Sequence, residues 1–260
     1  MPGNKDVYDL PALAAAYARY SYLQPPEETI LHLMLPSLPT ARMLDVGVGG
    51  GRTTVYFSSR VREYVGIDYS ESMIMECRNR FAGCPPHISF KVCDARSMQM
   101  FEHGSFDFIL FSHNGIDCVS HEDRLKILTE IRRLGRPGGY FCFSSHNLNW
   151  CTNLFELRRM ISLDPRLAVR TAKRVVLRFL YNWRVRAATV RNSQYIVFND
   201  GAYHRKMQMY YIRPLAQIAQ LGEAFTDIRV FSLTTGAEIE DPNRLRSAED
   251  CWLYYLCRIK

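Results

Sequence analysis

The chain has 260 residues, 47% of them hydrophobic and 23% charged, with a formal net charge of +7. That is the composition of an ordinary globule, large enough for one α/β domain carrying a lid or a small appendage. No apolar run reaches the roughly 18 residues of a membrane span, the first residues lack an apolar signal core, and the eight cysteines are scattered without a Cys-x-x-Cys pair; a cytoplasmic protein with buried free thiols and no metal site is expected.

Residues 1–40 read as an N-terminal helical cap. Pro11 suits a first helical turn, and Leu13, Tyr17 and Tyr20 recur at helical spacing. Pro25-Pro26 interrupt this helix. A second, over 26–36, opens with acidic residues that complement the helix dipole. Tyr17, Tyr20 and Tyr22 are then lid or substrate-pocket aromatics, with an apolar packing stripe as the alternative.

Over 41–147 strands and helices alternate, which predicts a cofactor-binding core. Strands are expected at 41–47, 63–68, 87–93, 106–112 and 140–145, and helices at 53–60, 71–81 and 121–134. Ser70 is a suitable N-cap, and Leu125, Leu128, Ile131 and Leu134 share one face of the last helix. Such alternation implies a parallel sheet with both faces covered, whose ligands bind outside the carboxyl ends of the strands. Behind the first strand, Gly47, Gly49, Gly50 and Gly51 fall within five positions. Without a Cβ, such a turn lets backbone approach a ligand closely. Asp68, 17 residues after Gly51, ends the second strand, where its carboxylate can accept bonds from ribose hydroxyls.

Residues 148–211 break the rhythm and read as a helical, basic insertion. Between Arg158 and Arg191 it carries ten Arg or Lys residues against Glu156 and Asp164. Its readings are a solvated face, a lid or dimer contact, a holder for an anionic small substrate, or a surface for RNA or an anionic membrane. No RNA-binding module accompanies it, and no DNA partner is expected. Residues 212–260 return to the core with a helix at 213–224 and strands at 227–233 and 251–259, an expected hairpin at one sheet edge.

These features resemble the class I S-adenosylmethionine-dependent methyltransferases, of the small-molecule type. The resemblance covers 41–145 motif by motif and 212–260 by topology. The family's acid-x-Gly-x-Gly-x-Gly motif is matched by Asp45, Gly47, Gly49 and Gly51, its ribose acid by Asp68, and its adenine-facing acid by Asp94 in Cys93-Asp94-Ala95. Phe106-Asp107 and the turn from Leu134 to Gly139 also match. The resemblance implies an α/β fold: a Rossmann-like, mostly parallel sheet of seven strands, helices on both faces, an antiparallel C-terminal strand and the helical insertion after strand five. It implies S-adenosylmethionine as cofactor. That molecule carries no phosphate, and the turn accordingly lacks the Gly-Lys-Ser/Thr ending of a phosphate-binding loop. Tyr69, Ala95, Phe111 and Ser112 join the expected cofactor residues. Loop ordering by Asp45 and helix capping by Asp94 remain open readings.

Methyl transfer from a sulfonium needs alignment and exclusion of water, and a base when the nucleophile is a hydroxyl. His113 and His146, after strands four and five, are the candidate catalytic bases, with structural histidines as the alternative. Asn114, Asp117, Asn147, His204, Tyr210 and Tyr211, together with Tyr17 and Tyr22, are candidate substrate contacts. Ser112-His-Asn-Gly115 stands where an Asn/Asp-Pro-Pro-Tyr motif would mark amino methylation of adenine or glutamine. The expectation is methylation of oxygen or nitrogen on a small molecule, with an anionic acceptor as the narrower reading. An RNA or protein methyltransferase and a non-catalytic module that keeps the fold are the rivals.

Overall fold

The computed structural model describes residues 4–154, 182, 187–201 and 207–260. The basic residues from Arg158 to Arg186, and His204, lie outside the described residues. Among the described residues no helix is long and apolar enough to cross a membrane, and no group of three or more His, Cys, Asp or Glu could hold a metal ion. All eight cysteines are free thiols.

Among the described residues nine strands form one sheet: β1 Arg42–Val46, β2 Glu63–Asp68, β3 Ile88–Val92, β4 Phe106–Phe111, β5 Gly135–Asn147, β6 Tyr195–Phe198, β7 Met209–Ile212, β8 Phe225–Ser232 and β9 Trp252–Ile259. The order is β3-β2-β1-β4-β5-β7-β6, and β9 pairs with both β5 and β8. β1 to β5 are parallel neighbours; β9 runs antiparallel to β5 and β8. The expected seven strands and the closing hairpin are therefore present. β1, β2 and β4 are buried at nearly every residue, which is why they read as continuous apolar runs.

Two elements differ from expectation. The segment 148–211 is not wholly helical: after Leu148–Leu154 and Ala187–Asn192 it adds β6 and β7, an antiparallel pair. Tyr195-Ile-Val-Phe198 and Met209-Tyr-Tyr-Ile212 are short aromatic and β-branched runs that suit strands. β5 is longer than expected. Its free edge forks, pairing Tyr140 through His146 with β9 and then His146 and Asn147 with β7. A separate apolar cluster containing Leu148, Val190, Ile196, Phe198 and Met209 packs the added pair.

Ten helices of α type flank the sheet among the described residues: α1 Asn4–Tyr8, α2 Pro11–Tyr17, α3 Pro25–Met34, α4 Thr54–Phe57, α5 Glu71–Arg80, α6 His121–Leu134, α7 Leu148–Leu154, α8 Ala187–Asn192, α9 Pro214–Leu221 and α10 Pro242–Arg246. Ser70 and Ser120 cap α5 and α6, accepting from Met73 N at 3.2 Å and Asp123 N at 3.2 Å. On α6 the expected Leu125 is exposed. The buried face runs through Arg124, Ile127, Leu128, Ile131 and Leu134 instead. A fully buried arginine sits on the core stripe because acceptors from three other elements meet its guanidinium there.

Candidate functional site

The glycine turn joins β1 to α4 and is tied to β2, Val48 N donating to Ile67 O at 2.9 Å. Gly47 has φ +64°, and a Cβ there would stand 2.8 Å from the Phe111 ring. Phe111 at the end of β4 thus closes directly on the turn. At Gly50 a Cβ would stand 2.3 Å from Ala18 N, so the cap itself rests on the turn. The result is a cleft floored by the turn, walled by the ends of β2 and β4 and covered by Tyr8, Tyr17 and Tyr20 of the cap. Tyrosines 8, 17, 20 and 22 form an edge-to-face chain with centroids 5.7 to 6.3 Å apart.

Asp68 anchors the cleft floor. Its Oδ2 accepts from Gly49 N at 3.0 Å and its Oδ1 from Ser70 N at 2.9 Å. Each oxygen retains acceptor capacity toward a ligand. Burial pushes its carboxyl up to about 6, against the lowering effect of those two N–H groups. Asp45 is also raised to about 6 by burial, although Thr53 Oγ1 and Tyr64 OH each donate to its Oδ2 at 2.6 Å.

Of the expected cofactor residues, Asp45, Gly47, Gly49, Asp68, Tyr69, Ala95, Phe111 and Ser112 line this one cleft. Gly51 and Asp94 do not. Gly51 packs against Phe81. The Asp94 carboxylate is gripped by the Arg96 guanidinium at 2.6 to 3.1 Å, which holds its carboxyl below the usual range, while Cys93 and Ala95 face the cleft. The cradle suits a phosphate-free adenosyl ligand: close backbone approach, a buried acceptor, aromatic walls and no lysine on the lining.

Sequence reasoning missed the clamp beside the cleft. Glu27 of α3 is 1% exposed and meets Arg52, just past the glycine turn, in a bidentate pair at 2.6 and 2.6 Å. Gln24 N donates to Glu27 Oε2 at 2.7 Å, Tyr254 OH of β9 donates to Oε1 at 2.9 Å, and Ser112 Oγ also donates to Oε1. Arg52 further donates to Tyr22 O at 2.8 Å. Burial alone would raise the Glu27 carboxyl, but Arg52 and the other donors hold it below its ordinary value. The available signal was local. Gln24 and Glu27 have the spacing of a capping box, which marks Glu27 as more than a dipole-complementing surface acid.

The two candidate histidines have different surroundings. His113 lines the cleft with its ring open to it and 6.0 Å from Trp252. The protein crowded around it, then the Arg52 charge, push its imidazole below the ordinary value, so it is a neutral acceptor at pH 7. Both His113 (φ 55°) and Asn114 (φ 60°) hold left-handed backbone, at a cost of about 1–3 kcal/mol each in the general case. His146 stands behind the cleft wall, its ring against Tyr211 and Trp252 at 4.6 and 6.0 Å.

Several expected substrate contacts are buried and hydrogen-bonded within the protein. Asp117 is fully buried, engaged by Arg124, Ser145 and His146. Asn147 uses its amide on Ala248 O, Asp250 O and Asn149 N. Tyr210 is buried with its hydroxyl 2.9 Å from His121 Nδ1, and buried Tyr211 donates to Asp200 at 2.9 Å. Asn114 is 5% exposed and turned toward His146. Tyr17 lines the cleft, whereas Tyr22 packs its ring over Arg52 at 5.3 Å.

Residues 43–139 match the family model of the methyltransferase domain. Norajmaline N-methyltransferase of Rauvolfia serpentina is 32% identical over 108 residues, covering 40% of this chain and 35% of the relative. Ubiquinone biosynthesis O-methyltransferase of Hahella chejuensis is 26% identical over 122 residues, covering 46% and 50%. The matched stretch spans half or less of the length of these relatives. A putative S-adenosylmethionine-dependent methyltransferase from Listeria monocytogenes superposes with a TM-score of 0.60 at 18% identity, over 90% of this chain and 97% of that one. The 1,6-didemethyltoxoflavin-N1-methyltransferase of Burkholderia thailandensis, solved with S-adenosylhomocysteine, gives 0.58 at 16% identity, over 100% and 91%. At these identities the structural likeness is one of fold. Residues 43–139 thus resemble the methyltransferase domain, and the chain shares the fold of S-adenosylmethionine-dependent methyltransferases.

Proposed function

We propose that this chain methylates an oxygen or nitrogen of a small molecule, with His113 as the base. The observation that carries the reading is His113 itself. Its strained backbone presents a neutral imidazole to the same cleft that holds Asp68 and the glycine turn. When bound, S-adenosylmethionine supplies an activated methyl group on a sulfonium. The residues of the chain have the remaining tasks. Asp68 and the turn hold the adenosyl part, the tyrosine cover excludes water, and His113 accepts the proton that the nucleophile gives up as its new bond to carbon forms. An anionic acceptor is the narrower reading and rests on the basic stretch 158–191.

Calorimetry with S-adenosylhomocysteine tests the cofactor reading, and absence of binding overturns it. A metabolite screen with methyl-labelled cofactor then identifies the acceptor. His113→Ala is expected to lower kcat about 10²–10⁴-fold, the ordinary contribution of a positioned base, with cofactor affinity retained. Normal turnover in that variant removes His113 from the role.

A further inference from the structure

Left-handed backbone at two successive non-glycine residues persists only where surrounding structure over-determines it. At the end of β4, Asn114 N donates to Ser144 Oγ at 2.8 Å. Among the described residues the Asn114 side chain has one hydrogen-bonding contact: its Nδ2 lies 3.3 Å from His146 Nε2, while its buried Oδ1 has no partner there. For that contact to be a hydrogen bond, Nδ2 donates and Nε2 is bare, so the imidazole carries its proton on Nδ1. Asp117 supplies the reason. Its Oδ2 accepts from Nδ1 at 2.8 Å and from His146 N at 2.6 Å. Asp117 is itself held by Arg124 Nη1 at 2.5 Å and Ser145 Oγ at 2.9 Å, and Arg124 is fixed by Gln217 Oε1 at 2.5 Å and lies 4.6 Å over the Tyr210 ring. Asp117 and Arg124 are both fully buried.

We infer that Asp117 and His146 are positioning residues for His113. Asp117 fixes the Nδ1–H tautomer, the bare Nε2 docks the Asn114 amide, and the docked amide holds the turn that presents His113 to the cleft. The assignment rests on reading His113 as the cleft base, and it takes that role away from His146. His146 lies off the cleft lining, between Tyr211 and Trp252. The ionisable groups that face it are Asp117, Tyr211 and His113.

The test needs no acceptor substrate. Imidazole nitrogen resonances of histidine-labelled chain are recorded at pH 7, with the backbone carbon shifts of His113 and Asn114 as reporters of left-handed φ. In the unmodified chain His146 is expected as the Nδ1–H tautomer. Asp117→Asn is expected to move that proton to Nε2. His146→Gln, whose side-chain oxygen reaches the place of Nε2, keeps the left-handed shifts; His146→Leu loses them and brings the His113 titration midpoint up toward that of a free imidazole. An Nε2–H tautomer in the unmodified chain, or unchanged shifts and midpoint in a folded His146→Leu, overturns the inference. Failure of the methyl-donor reading shows separately, as no binding of S-adenosylhomocysteine to the unmodified chain.

Discussion

Asp68 makes ligand binding in the cleft sensitive to pH. Its folded pKa is raised to about 6 from 3.8. The protonated form cannot offer a ribose two acceptor oxygens, so affinity for S-adenosylhomocysteine should rise as pH passes upward through about 6. Calorimetry between pH 5 and pH 8 reads this. Asp68→Asn should weaken binding by about 1–3 kcal/mol and flatten the slope. Asp45 titrates in the same window, so the informative quantity is the difference between the two chains. At Gly50 the constraint is steric: Gly50→Ala drives a methyl into Ala18 backbone and should lower stability by about 1–3 kcal/mol, read by thermal unfolding. At this scale the sequence was most legible where a residue type has one use. Asp45, Gly47, Gly49 and Asp68 all meet at the cleft. It was least legible where a polar residue has several. Asp117 and Asn147, candidate substrate contacts by sequence, are buried ties whose partners Ser145 and Ala248 are distant in the chain.

At the scale of elements, the clamp of Glu27 and Arg52 joins α3, the glycine turn, β4 and β9. A buried pair contributes little net stability when complete but costs about 3–5 kcal/mol when one partner is removed. Glu27→Leu should therefore be strongly destabilising, since it strands the Arg52 charge, and Glu27→Leu with Arg52→Met should recover part of the loss in denaturant unfolding. The strand-helix alternation of 41–147 was readable because buried strands and capped helices have distinct periods. β6 and β7 escaped notice because four-residue strands next to a strongly basic stretch carry too little pattern. The buried position of Arg124 on α6 was invisible for a similar reason: its acceptors come from Asp117, Ser145 and Gln217.

For the whole molecule, the buried acids pull stability in opposite directions with pH. Asp45 and Asp68 have raised folded pKa values, so their contribution is complete below about 3.8 and is lost as pH rises through about 6. Glu27 has a lowered folded pKa, so its contribution is present above 4.5 and is lost as pH falls through the folded value. Asp68→Asn should raise stability at pH 8 relative to pH 4 by about 2–3 kcal/mol compared with the unmodified chain, from roughly two units at 1.36 kcal/mol each. Urea midpoints at the two pH values check this.

The contact of α2 with Gly50 also has a kinetic consequence. The segment that covers the cleft is seated on its floor, with no room for even a methyl group between Gly50 and Ala18. A ligand the size of a nucleoside must then wait for α1 and α2 to lift before it enters or leaves. Association monitored by rapid mixing should level off at high ligand concentration, at the opening rate of the cap, and that same rate should limit how fast spent donor is exchanged for fresh.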